Sequence, residues 1–145
     1  MKLFSTITLF CLAIGIHTVS FADHLSGRLL FSSQLTGDQE VPPVATDGMG
    51  IGSLFLNEAK DSLCVSITVY GLSGDIDAAH IHEGAAGTNG GVVFNFGPFI
   101  SGNQINTVIT GDDLTPELLT AALDGMLYLN VHTAENPGGA IRGQI

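Results

Sequence analysis

Ala79-His80-Ile81-His82-Glu83-Gly84 and the distant stretch Leu127-Tyr128-Leu129-Asn130-Val131-His132-Thr133 share one pattern, strict alternation of apolar and polar side chains. Successive side chains of a strand point to opposite faces, so this period predicts two β-strands rather than helices. In the first, His80 and His82 share a face and Ile81 takes the other. In the second, Leu129 and Val131 form one face and Tyr128, Asn130 and His132 the opposite one. Should the two strands lie side by side, His80, His82 and His132 converge as three imidazoles. That donor set suits copper, and secondarily zinc, with a position left open for a small molecule.

Working outward, the rest of the chain punctuates in the same way. Strands are expected over 28–35, 48–56, 62–70, 92–96, 104–109, 126–132 and 141–145, besides the His80 strand. Glycines at 48, 50 and 52 point to a bulge or close packing. Glu40-Val41-Pro42-Pro43-Val44 is extended but not a central strand, because two prolines remove two ladder donors. Glu83 to Gly91, with glycines at 84, 87, 90 and 91, is a long loop at the end of the His80 strand, a place where binding loops sit. The one helix is Leu114 to Leu123, capped by Thr115, with Pro116 at its first position, Glu117 favouring the dipole and Gly125 after its end. Leu114, Leu118, Leu119, Ala122 and Leu123 give it an apolar face for a sheet. About seven to eight strands separated by turns, with one short helix, read as an all-β antiparallel sandwich or barrel.

The N-terminus reads as an address. Met1-Lys2 is a small positive region, residues 3–19 are mostly apolar, and Ser20-Phe21-Ala22 places small residues as a signal peptidase requires. A signal peptide over 1–22 and one domain over 23–145 follow, with a secreted or periplasmic destination. Phe10 before Cys11 is too large for a lipid-anchor cysteine, and no membrane attachment is expected after cleavage. His24, beside the amine freed at Asp23, reads as a solvated tail. Beyond the leader, Arg28, Lys60 and Arg142 face fourteen acids. Such a surface repels phosphate backbones and anionic lipid, which excludes nucleic acid as a partner class. Cys64 then has no intrachain partner, and its place in an apolar run reads as a buried, inert thiol.

Four segments, taken with the closing one, resemble a known family. Leu35-Thr36-Gly37-Asp38-Gln39-Glu40-Val41-Pro42-Pro43-Val44, Ala79-His80-Ile81-His82-Glu83-Gly84, Gly87-Thr88-Asn89-Gly90-Gly91-Val92-Val93, Tyr128-Leu129-Asn130-Val131-His132-Thr133 and the block from Asn136 to Ile145 are similar to the CHRD (chordin-type) domain. The resemblance implies an exported β-sandwich module. A second resemblance, to copper-zinc superoxide dismutase, follows the order His-x-His-Glu, glycine loop, Val-His, then Asn-x-Gly-Gly-x-x-Arg. It implies a Greek-key sandwich, copper ligation by His80, His82 and His132, and a catalytic Arg142 that attracts superoxide. The segment Gly90-Gly91-Val92-Val93-Phe94-Asn95 carries no histidine and the disulfide is absent, so the implied site is copper-only.

Arg142 has a second reading as the partner of a carboxylate, Glu83 as either an imidazole acceptor or a solvated acid, and Asn130 and Tyr128 as ligand neighbours or a wet strand face. No Gly-x-Ser-x-Gly, Cys–His pair or phosphate-cradling loop is present. Two functions compete. One is a three-histidine metalloprotein, dismutase-like in its catalytic form, acting on a small anion such as superoxide. The other is a non-catalytic extracellular module that binds a protein or a glycan.

Overall fold

A computed structural model describes residues 27–145; the leader 1–22, its cleavage point and His24 lie outside the described residues. Nine strands form one curled antiparallel sheet: β1 (Leu29–Thr36), β2 (Met49–Leu56), β3 (Ser62–Tyr70), β4 (Ala78–Glu83), β5 (Gly91–Asn95), β6 (Ile100–Ser101), β7 (Gln104–Thr110), β8 (Leu127–His132) and β9 (Ile141–Gln144). Their spatial order is β5-β4-β8-β9-β1-β2-β3-β7-β6. The last strand returns beside the first, so β9-β1-β2-β3 has the order of a Greek key. The two blocks, β5-β4-β8-β9 and β1-β2-β3-β7-β6, join through the pairing of Thr36 with Arg142 and enclose the core between them. The all-β sandwich or barrel class is thus what the alternation predicts. The ninth strand, β6, is two residues long and too short to carry a periodic signal.

Alternation decides which side chains enter the core. Leu63, Val65, Ile67 and Val69 of β3 and Leu54 and Leu56 of β2 meet Ile81, Leu129, Val131 and Ile141 from the opposite block, each 3% exposed or less. Gly50 and Gly52 lie in an unbroken register with both neighbours, so their role is close packing rather than a bulge. A Cβ at Gly52 would stand 2.2 Å from Cδ1 of Leu129. Cys64 corrects the expectation of a buried thiol: it is exposed. Residue type pointed inward, but its parity in β3 places it outward with Ser66 and Thr68.

The helix α1 (Pro116–Leu123) begins where predicted, with Thr115 Oγ1 accepting from the Leu118 amide at 3.1 Å. It buries Leu118, Ala121 and Ala122, while Leu123, expected on the apolar face, is 57% exposed. No helix among the described residues is long and apolar enough to cross a membrane.

The outer face of the sheet divides in two. Over β1-β2-β3-β7 it is bare. Over β4-β8-β9 it is covered, and every residue of β8 is buried on both sides. The covering includes the loop 84–90 and Glu40, whose ties to the sheet are described below. This second, polar interior holds the histidines.

Candidate metal centre

β4 and β8 are neighbours, in a register that pairs His80 with Asn130 and His82 with Tyr128. His80, His82 and His132 therefore project from one face of two adjacent strands. One nitrogen from each lies within 4.8 Å of the other two. A bulge in the β4–β5 ladder falls between Ile81 and His82, next to the cluster, and bulges of this kind re-aim side chains.

Two of the three imidazoles have their tautomer set by backbone. His132 Nδ1 donates to the Pro137 carbonyl at 3.1 Å, and His82 Nδ1 donates to the Gly90 carbonyl at 3.0 Å. Both Nε2 atoms are left with free lone pairs, the arrangement outer partners impose on ligating histidines. His132 Nε2 lies 3.0 Å from His80 Nδ1. That spacing falls between the ~2.8 Å and ~3.3 Å separations of adjacent nitrogens around a metal with ~2 Å bonds. Without metal the same contact is a hydrogen bond, with His80 donating. His82 Nε2 is buried and has no hydrogen-bond partner among the described residues. A buried acceptor left unpaired costs about 1–3 kcal/mol. A cation between the rings would satisfy it, and closing the set onto one ion takes movements of about 1 Å. The donor set fits a soft or borderline transition metal.

Burial lowers the pKa of His132 and of His80, and the neighbouring imidazoles lower both further; the Pro137 carbonyl partly offsets this for His132. Unfolding restores the ordinary value of 6.5, so just below that pH the unfolded chain binds more protons than the folded one. The metal-free protein is therefore expected to lose stability as pH falls through about 6.5, until the lowered native values are passed. A His80→Gln/His132→Gln variant should show a flatter stability profile over that window in urea melts. An equal slope in both proteins would refute the assignment. Glu40 has the opposite sign. Burial raises its pKa above 4.5, against the hydrogen bond from Asn130 and the charge of Arg142, so its carboxylate loses native stability as pH rises through its raised pKa.

The remaining side chains of this face are ordered around Tyr128, 3% exposed. The His82 ring stacks on it at 4.8 Å and 7°. The Arg142 guanidinium carbon lies 3.5 Å from its ring centre. Since β8 runs between β4 and β9, His82 and Arg142 reach Tyr128 from opposite sides. Arg142 is 1% exposed and donates to the carbonyls of Thr88 at 2.8 Å and Ala85 at 3.2 Å. It fastens the 84–90 loop, and its guanidinium faces carbonyl oxygens rather than solvent.

Gly90 completes the loop's attachment. Its amide donates to the Tyr128 hydroxyl at 3.1 Å and its carbonyl accepts from His82. A Cβ there would meet the Glu83 carbonyl at 1.6 Å. Gly90→Ala is expected to displace the loop and cost about 2–3 kcal/mol, as overpacking against immovable backbone does. Urea denaturation would show it, and a loss under about 0.5 kcal/mol would mean the loop has slack.

Sequence reading had the three histidines converge on the condition that their strands are neighbours, which β4 and β8 are, but missed other parts of the site. Glu83 is exposed, the solvated acid of its two readings, and backbone carbonyls rather than a carboxylate fix two of the imidazoles. Asn130 and Tyr128 are buried, not a wet face. Glu40, 6% exposed, accepts from Asn130 Nδ2 at 2.6 Å across a sequence separation of 90 residues. The residues that carry this cover, Glu40 to Pro43, Thr88 to Gly90 and Asn136 to Arg142, sit in the segments that resemble CHRD sequences. A family model described as CHRD domain matches residues 31–145. The chain belongs to the CHRD domain family. No curated protein and no solved structure matched it. The match spans the whole described sheet apart from its first strand residues, so both the core and the histidine cluster lie inside this CHRD domain.

Proposed function

We propose that this CHRD domain is an exported copper-binding protein whose ligands are His80, His82 and His132. The observation that carries the proposal is the buried, partnerless Nε2 of His82, on a ring that belongs to a cluster in which one nitrogen each from His80, His82 and His132 lies within 4.8 Å of the other two. A protein keeps such an atom at a cost of about 1–3 kcal/mol, which a bound cation would offset. Copper, when bound, supplies one-electron redox chemistry, and zinc on the same donors supplies none. Pro137 and Gly90 hold two imidazoles in the ligating tautomer. To become a ligand through Nδ1, His80 would take the tautomer with its proton on Nε2 and give up the hydrogen bond to His132. Export rests on the leader-like residues 1–22 and on an acidic chain of net charge −10.

A dismutase-like activity on superoxide is the catalytic form of this proposal. It needs an anion route to the histidines. Arg142, with its donors on two carbonyls, offers none, so metal holding is the form the geometry favours. Calorimetric titration with copper and with zinc from about pH 5 to 8 tests it. One equivalent of copper is expected near neutral pH, with affinity falling steeply once the histidines protonate. Binding that is unchanged across this range would rule out imidazole ligation.

A further inference from the structure

The bare half of the sheet is unlike the rest of the molecule. Along β1, β2, β3 and β7 the outward positions include Leu30, Met49, Ile51, Phe55, Tyr70 and Val108, with exposures from 36% to 71%. Register places Leu30, Phe55, Cys64 and Val108 opposite one another, one continuous apolar row across four strands. The other outward residues are serine, threonine, asparagine and glutamine, and these four strands contain no charged residue at all. In a chain of net charge −10 that is a marked segregation. The nearby charges sit at the two ends, with Arg28, Glu58, Lys60, Asp61, Asp112 and Asp113 at one and Asp38 and Asp47 at the other, acids outnumbering bases at both.

An outward sheet face ordinarily alternates core residues with charged ones. This one has the composition of an inner sandwich face, which packs against another sheet about 10 Å away. We infer that it is a self-association surface, on which a second copy of this chain packs face to face about a two-fold axis. Charge selects that occupant. A cationic partner would be drawn to the acidic turns rather than to a neutral face. Another copy, repelled by carboxylates elsewhere, meets none across these strands. A two-fold contact is self-complementary, laying the apolar row of one copy across that of the other. Four strands of about eight residues span roughly 15–20 Å by 25 Å. That lies below the ~800 Å² per partner of a standard interface, so the dimer is reversible and weak, with Kd of about 10–100 µM.

Sedimentation of the purified protein from about 1 to 500 µM tests this. A monomer–dimer equilibrium is expected, strengthening between ~0.05 and ~0.5 M salt as the repulsion is screened. Ile51→Glu and Val108→Glu, made separately at outward positions and checked for unchanged melting, should each weaken it at least about tenfold. Val92→Glu on β5, an equally exposed apolar position outside the face, should leave it intact. A short bis-maleimide should link two wild-type copies, and neither Cys64→Ser nor Val108→Glu proteins. Monomer at every concentration, association that weakens with salt, or a dimer indifferent to Ile51→Glu and Val108→Glu would each overturn the inference. None of these measurements depends on metal.

Discussion

Replacing Arg142 with methionine is expected to destabilise this CHRD domain by about 2–4 kcal/mol, although the substitution keeps much of the side chain's volume. The Thr88 carbonyl would lose its guanidinium donor, the Ala85 carbonyl would be left with the Thr88 amide and hydroxyl alone, and the Tyr128 ring would lose the cation on one face. The orphaned Thr88 carbonyl costs about 1–3 kcal/mol and the lost cation–π contact about 1–2 kcal/mol more, partly offset by no longer burying a charge. Glu40 would also lose a compensating charge, raising its pKa further. Arg142→Lys should recover only part of the loss, because an ammonium cannot fork to both carbonyls as a guanidinium does. Urea denaturation measures the stability, and hydrogen exchange at residues 84–90 reports the loop. A methionine variant within about 0.5 kcal/mol of wild type would show that the loop is held by other contacts.

His82→Phe is the second large effect, and it separates binding from folding. Phenylalanine keeps the stack on Tyr128 and removes the partnerless Nε2, but it also removes the donor to the Gly90 carbonyl. The two changes oppose each other, so stability should stay within about 1 kcal/mol of wild type. Copper affinity should fall at least ~100-fold, beyond the 10–100-fold typical of losing an outer partner. Should the variant be strongly destabilised and bind copper as before, His82 would be a structural residue.

Much of this architecture was legible because β-strands write their faces into the sequence at period two. Ser62 to Tyr70 needed no other information, and the parity of His80 and His82 and of the polar side of β8 gave the faces, while the pairing of β4 with β8 supplied the adjacency that brings three imidazoles together. Cys64 was misjudged because residue type was weighted over parity. Arg142 read as an anion-attracting residue or the partner of a carboxylate because its sequence neighbours do not reveal the carbonyls that hold it. Its cover comes from Ala85 and Thr88, more than fifty residues away, and only the β4-β8-β9 order brings that loop over it. Glu40 was hidden for the same reason: its local sequence specifies extended backbone, whereas its burial depends on Asn130. Periodicity reports which face a residue occupies. It does not report whether a loop from elsewhere will close over that face.

The most direct test of the central claim is electron paramagnetic resonance of the copper-titrated protein beside its His80→Gln/His82→Gln/His132→Gln variant. One equivalent of copper with nitrogen hyperfine structure from imidazoles, absent in a variant that melts as a folded protein, is the predicted result. A wild-type spectrum that is adventitious, substoichiometric or identical in the variant would contradict the metal centre.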